Sequence, residues 1–168
     1  MPLSDWSNFF VATASASAAL TGLIFVGVSI NLVRILAGRG LPERALNSLV
    51  LLLTILILSI IFLIPGQSPH SQGFEVLGIG LIAWILIVVM ETRIVRSREL
   101  PYRGHFIFNM VLNQFALLPY FVCDFCILTN PADTPPGTNA LHWMALAFVL
   151  SFVKAVADAW VLLVEINR

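Results

Sequence analysis

Five long apolar stretches, separated by short polar links, constrain this chain more than any other feature of its sequence. An α-helix needs about 20 residues to cross roughly 30 Å of hydrocarbon, and each stretch is long enough. The predicted spans cover residues 9–36, 45–64, 74–95, 105–128 and 141–166. Because lipid offers the backbone no hydrogen-bond partners, the pattern predicts an all-α integral membrane bundle of five transmembrane helices.

The composition argues against a soluble domain of this size. Of the 168 residues, 59% are hydrophobic and only 11% are charged, whereas soluble domains carry about a quarter charged residues. Formal net charge is zero, so no overall field attracts nucleic acid as a partner. The N-terminal MPLSDWSNFF lacks a basic region, so we expect no cleavable signal peptide. We therefore predict one transmembrane domain over residues 1–168, with the lipid bilayer as its surroundings.

The arginines are segregated along the chain. They fall in the first connection, in the third connection and at the C-terminus: Arg34, Arg39, Arg44, Arg93, Arg96, Arg98, Arg103 and Arg168. The second and fourth connections contain neither Lys nor Arg. Five spans place all the arginine-bearing segments on one side, which the positive-inside rule makes cytoplasmic. The pattern predicts the N-terminus outside and the C-terminus in the cytoplasm.

Charged residues lie within the fifth span, in the segment SFVKAVADAW. On a helix, Ser151, Lys154, Asp158 and Glu165 fall within about 60° of one another. Each charge near the middle of a span costs about 2.5–3.5 kcal/mol on insertion scales. Such residues indicate a functional polar path by default, but a pair that only fixes the register of packed helices fits equally well.

The fourth span carries a second polar stripe at matching depth. His105, Asn109, Asn113, Tyr120 and Asp124 fall within about 100° of one another on a helix. Antiparallel helices place Asn109 and Asn113 level with the charges of the fifth span. We expect the two stripes to face each other, with the amides bonding to the charges. Contact between helices is the alternative to a pore lining.

The first and second spans differ in their small residues. One face of the first span carries Thr13, Ser17, Thr21 and Asn31. The other face is predicted to pack closely against a helix, in this chain or in a second subunit of a homo-oligomer, through Ser15, Ala18, Gly22 and Ser29. With two such faces, the first span is predicted to be central. The second span, LVLLLTILILSIIFLI, has little besides Thr54 and Ser59 and is predicted to face lipid.

Two cysteines form the motif CDFC near the outer end of the fourth span, Cys123 and Cys126. A CxxC pair at an oxidising membrane face is typical of quinone-linked thiol oxidases, which need a second thiol pair that this chain lacks. The alternative is two small apolar side chains. His70 and His142 have no further ligand at metal spacing, so neither a metal nor a cofactor is expected.

Three segments resemble a group of small bacterial multi-pass membrane proteins of unassigned function. They are DWSNFFVATASASAALTGLIFVGVSINL, LPERAL and AWVLLVEI. The resemblance implies a bacterial inner membrane and brings no activity or catalytic residues with it. The chain is also similar to the translocator protein family in its size and five spans. It lacks that family's tryptophan- and proline-rich first-loop motif, having only Leu41-Pro42 there, so no ligand is carried over.

The leading functional prediction is a small homo-oligomeric channel or transporter for an ion or small solute. Its polar path would contain Lys154, Asp158, Asn109, Asn113, Asp124, Ser151 and Glu165. The first alternative is a non-catalytic scaffold or regulatory subunit, in which the same residues fix helix register. The second is a thiol redox protein based on CDFC. No nucleophile, base and orienting group occur in a recognisable set, so an enzyme is not expected.

Overall fold

The fold is known from a computed structural model that describes residues 4–38, 40–97, 103–129 and 138–166. Every secondary-structure element in those ranges is a helix. In chain order they are α1 (Ser4–Ile30), α2 (Leu32–Ala37), α3 (Leu41–Leu63), α4 (Pro69–Ser97), α5 (Arg103–Thr129) and α6 (Thr138–Ile166). All but α2 are long and apolar enough to cross a membrane. The predictions of an all-α fold and of five helices long and apolar enough to span a membrane are thereby confirmed.

The stretch predicted as one span over residues 9–36 is divided into two helices. Helix α1 ends at Ile30, and Asn31 leaves helical geometry while its Nδ2 donates to the carbonyl of Gly27 at 3.1 Å. The short α2 is held by Ile35, which is buried in a small cluster with residues of α3 and α6. Gly40 then adopts a φ of 88°, which suits glycine, immediately before α3 begins. The first connection is therefore a packed corner.

Helix α3 is the central helix of the bundle. It packs against α1, α4 and α6, whereas α5 lies against α4 and α6. Leu51, Leu52, Ile55 and Leu58 on α3 are completely buried. The prediction that this span faces lipid is wrong. Its uniformly apolar sequence suits a protein core as well as lipid, because both surroundings are equally apolar.

Helix α1 is peripheral, so its predicted central position is also wrong. It packs mainly on α3, where the hydroxyls of Thr13 and Ser59 hydrogen-bond at 2.9 Å, and it makes few contacts with α6. The residues of the other predicted packing face are exposed in the protomer: Ser15, Ala18, Gly22 and Ser29. A Cβ added at Gly22 would meet nothing within 4 Å. Packing of this face against a second subunit stays a prediction.

Aromatic rings close one end of the bundle. Phe10 of α1 stacks on Phe62 of α3 with ring centroids 4.8 Å apart, and Trp6 lies edge-on to His142 of α6 at 5.2 Å. Phe148 and Met144 of α6 are completely buried beneath them. This apolar packing occupies the end at which α1 and α6 begin. Of the buried ionisable residues that the structure describes, Glu91, Lys154 and Asp158 lie farther from this end, whereas Asp124 lies near it.

Candidate functional site

The two charges of α6 form an ion pair inside the bundle. Lys154 Nζ donates to Asp158 Oδ2 across one helical turn, and the two residues are only 7% and 2% exposed. The carboxylate is also contacted from α3. Asn47 Nδ2 donates to Asp158 Oδ2 at 2.8 Å, and Arg44 Nη1 lies 3.9 Å from Asp158 Oδ1. Asp158 is therefore surrounded by one amide and two cationic side chains.

Two asparagines extend this network to a second carboxylate. Asn47 Nδ2 also donates to Asn113 Oδ1 of α5 at 3.2 Å. Asn113 Nδ2 in turn donates to Glu91 Oε1 of α4 at 2.5 Å. All three residues are buried. One continuous set of contacts thus joins α3, α4, α5 and α6, and we call it the ion cluster: Arg44, Asn47, Glu91, Asn113, Lys154 and Asp158.

The formal charges of the ion cluster balance. Arg44 and Lys154 carry positive charge, and Glu91 and Asp158 carry negative charge. A lone charge at membrane depth is expensive, whereas opposite charges that also accept or donate hydrogen bonds offset much of that cost. Balanced charge explains how four ionisable side chains can be held among apolar helices.

Hydrogen bonding in the ion cluster is incomplete at two oxygens. Among the described residues, neither Glu91 Oε2 nor Asn47 Oδ1 has a hydrogen-bond partner, and both atoms are buried. Glu91 is 7% exposed and Asn47 is 5% exposed, so solvent can supply few hydrogen bonds to either side chain. Buried acceptors without donors are uncommon in native proteins, and each one calls for an explanation. A bound proton, water molecule or cation would therefore be stabilised most at these two oxygens.

The ion cluster lies toward the end of the bundle that adjoins the arginine-rich connections. With about 1.5 Å of rise per residue, Asn47 is about 9 Å from the first residue of α3, and Glu91 is about 9 Å from the last residue of α4. Lys154 is near the middle of the apolar part of α6 that is able to span a membrane, Ala140–Val164. The polar contacts therefore begin near mid-membrane and continue toward the side predicted to be cytoplasmic.

Two further polar features lie beyond the ion cluster on α5 and α6. The hydroxyls of Tyr120 and Ser151 hydrogen-bond at 3.1 Å, one turn along α6 from Lys154. One turn further along α5, Asp124 is 6% exposed, and its Oδ1 has no hydrogen-bond partner among the described residues. Leu117, one turn before Tyr120 on α5, and Phe148, one turn before Ser151 on α6, are completely buried. The polar stripe is thus interrupted by close apolar packing.

The remaining residues predicted for the polar path lie apart from these contacts. Asn109 is only partly buried, one turn before Asn113, and it takes no part in the hydrogen bonds of the ion cluster that the structure describes. The side chain of Glu165 lies outside the described side chains. Within the described residues, the structure brings together Lys154, Asp158 and Asn113 of the predicted set and adds Asn47, Glu91 and Arg44.

The CDFC thiols lie at the α5–α6 side of the aromatic end. Both are free, with Cys123 completely buried and Cys126 partly buried. Burial keeps a thiol from exchange partners, so the geometry gives no support to a redox role. In the part of the chain that the structure describes, no group of three His, Cys, Asp or Glu side chains is placed to hold a metal ion.

Sequence reasoning missed three members of the ion cluster, Arg44, Asn47 and Glu91. Arg44 entered the prediction only as a charge of the first connection, and no prediction was made for Glu91 within the third span. Asn47 was overlooked in an otherwise apolar span. One signal was available, since Arg44 and Asn47 are three residues apart and so share a helix face.

Comparison with known proteins gives no match: no family model, no curated protein and no solved structure aligns significantly with this chain. The resemblance to small bacterial multi-pass proteins stays a prediction from the three segments quoted above.

Proposed function

We propose that this integral membrane protein is a small transporter or channel and that the ion cluster is its site for the transported ion or solute. The observation that carries the proposal is the burial of Glu91, Lys154 and Asp158 at membrane depth, with the partly buried Arg44 beside them. Ionisable residues inside membrane spans are rare and most often mark ion pathways or proton relays. The two oxygens without donors, Glu91 Oε2 and Asn47 Oδ1, support a site that exchanges a ligand.

The parts of the site have separable roles in this proposal. Lys154 attracts negative charge and holds Asp158, which is its counter-ion. Asn47 and Asn113 connect the two carboxylates by hydrogen bonds. Tyr120 and Ser151 continue the path toward Asp124. An ion or solute can follow this path to Asp124 only if Phe148 and Leu117 move. This conformation is therefore closed toward the aromatic end.

The orientation and location of the protein are part of the proposal. The arginine pattern supports an outside N-terminus and a cytoplasmic C-terminus. The quoted resemblance supports a bacterial inner membrane. With this orientation, the ion cluster lies toward the cytoplasm and the aromatic end faces outside.

A homo-oligomer is proposed from α1. Its exposed face of Ser15, Ala18, Gly22 and Ser29 offers small residues at helical spacing, which permit close approach of another membrane helix. The ion cluster itself is formed by α3–α6 of one protomer. Each protomer would therefore carry its own site.

Flux measurements in liposomes test the proposal. Wild-type protein should carry an ion, proton or solute flux across reconstituted vesicles, and Lys154→Met and Asp158→Asn should abolish it. Glu75→Gln is a matched control, because Glu75 bonds to Gln67 away from the ion cluster. Wild-type vesicles that are no more permeable than empty vesicles to any of these species would rule out transport.

The alternative is a non-catalytic scaffold, and one observation favours it. A cavity of about 230 Å³ lies between α1, α3 and α6, and another of about 280 Å³ lies beside Trp6 and Phe62, but neither is lined by the ion cluster. The cluster would then only hold four helices in register. That role predicts that Lys154→Met lowers thermal stability or disperses the oligomer and that neither the variant nor the wild type carries flux. The transport role predicts lost flux from a protein that stays folded.

A further inference from the structure

The two carboxylates of the ion cluster are not equivalent. Asp158 accepts hydrogen bonds from Lys154 and Asn47 and has Arg44 at 3.9 Å, so its negative charge is compensated by two cations. Glu91 accepts one hydrogen bond, from Asn113 to Oε1, and its buried Oε2 has no partner among the described residues. Of the two groups, Glu91 is the one whose ionised form is less well supported by the protein.

Building on the proposed transport function, we infer that the transported or coupling ion is the proton and that Glu91 Oε2 is the atom that takes it up and releases it. Uptake forms an O–H bond at Oε2 with a proton supplied by water and converts the carboxylate to a neutral acid. Release returns the proton to water on the other side of the bundle. No oxidant, reductant or further reactant takes part.

Protonation of Glu91 removes the buried acceptor without a partner at Oε2. An ionised carboxyl group only accepts hydrogen bonds, whereas the protonated acid also donates one. Oε2 then changes from an acceptor without a partner into a donor, in a network where Asn47 Oδ1 is an acceptor without a donor. The bond from Asn113 Nδ2 to Oε1 remains possible in both forms, because Oε1 stays an acceptor.

The surroundings favour a proton over a metal cation. The groups that face Glu91 are Asn113 of α5, Lys154 and Asp158 of α6 and, through Asp158, Arg44 of α3. A metal cation needs several oxygen ligands at once. Within the described residues, no group of three His or acidic or thiol ligands is available. A proton needs only the one oxygen.

Asn113 is a positioning residue in this account. Its amide donates to Glu91 Oε1 and accepts from Asn47, so it fixes which carboxylate oxygen is engaged. Oε2 is thereby left for the proton. Replacing Asn113 should alter the pH at which Glu91 titrates without removing the titrating group.

Infrared difference spectroscopy tests Glu91 directly, with the full chain in lipid nanodiscs and with pH as the only variable. We expect a carbonyl band of a protonated carboxylic acid that appears on acidification and shifts in D₂O. The band should be missing from Glu91→Gln, moved in Glu91→Asp and unchanged in the control Glu75→Gln. A band that persists in Glu91→Gln, or no such band from folded wild-type protein at any pH, overturns the assignment.

Flux measurements separate this inference from the proposed function. In vesicles with an imposed pH gradient, Glu91→Gln should lower proton flux by on the order of a hundredfold, a typical effect of removing a positioned proton-transfer group. If flux requires sodium at constant pH and persists in Glu91→Gln, the proton is not the transported or coupling ion. The proposed transport function is then retained. If no vesicle carries flux, the transport function fails, and the infrared band alone decides whether Glu91 binds the proton.

Discussion

Asn47 donates a 2.8 Å hydrogen bond to Asp158, a residue 111 positions away in the chain. This contact joins the central helix α3 to the charged face of α6. The same amide nitrogen also donates to Asn113, so both of its N–H groups have acceptors. One neutral side chain therefore links the ion pair of α6 to the Asn113–Glu91 pair.

We expect Asn47→Ala to destabilise the protein by about 1–3 kcal/mol, because it removes the described donor to the buried Asn113 Oδ1 and leaves Asp158 Oδ2 with Lys154 alone. The free energy of unfolding in detergent or in bicelles measures the effect. Asn8→Ala is the control, since Asn8 is exposed. Equal stability of the two variants would show that the Asn47 contacts contribute nothing.

The Lys154–Asp158 pair should show strong coupling. Removing one partner leaves the other charge buried and unpaired, which costs about 3–5 kcal/mol. The loss of unfolding free energy in the double variant Lys154→Met/Asp158→Leu should be much smaller than the sum of the losses in the two single variants. A double-mutant cycle of unfolding free energies checks this, and additive losses would mean that the two charges are not paired in the membrane.

The contact between Thr13 and Ser59 should contribute modestly to the packing of α1 on α3. Thr13→Val removes the 2.9 Å hydrogen bond at nearly constant volume, and we expect a loss of about 0.6 kcal/mol, the average for such bonds between membrane helices. Ser15→Ala is the matched control, because Ser15 is exposed and its hydroxyl donates to the Val11 carbonyl of its own helix. A larger loss from Ser15→Ala would contradict the described packing of α1.

Substitution at Gly22 tests the proposed subunit contact. Gly22→Leu should leave the protomer folded, since nothing lies within 4 Å of the added Cβ, but it should disperse a homo-oligomer formed through this face of α1. Gly78→Leu is the control, because its added Cβ on α4 is equally unobstructed. Subunit number can be counted by photobleaching steps in nanodiscs. An unchanged count in Gly22→Leu excludes this face as the contact.

Reporter fusions test the predicted orientation. Alkaline phosphatase inserted after Gly66, in the second connection, should be active because that connection is predicted to lie outside. The same enzyme fused after Arg168 should be inactive, and green fluorescent protein there should fluoresce. The reverse pattern would invert the bundle and place the ion cluster toward the outside.

Helix number and type were predictable from the sequence, because lipid imposes a length and a composition on every span. The pairing of Lys154 with Asp158 and the contribution of Asn113 were predictable from helical spacing and matched depth. The position of α3 was not, since a leucine-rich helix is equally apolar whether protein or lipid surrounds it. Glu91 was missed because a charge near the end of a span looks the same whether it faces headgroups or the bundle interior.

The location of Lys154 and Asp158 on α6 has a consequence for biogenesis. During synthesis α3, α4 and α5 leave the ribosome before α6, so Asn47, Glu91 and Asn113 enter the membrane before the ion pair exists. We expect these three helices to remain beside the insertion machinery, shielded from lipid, until α6 arrives. Chains stalled before Ser151 should be captured there by crosslinking, whereas chains that include Asp158 should be released.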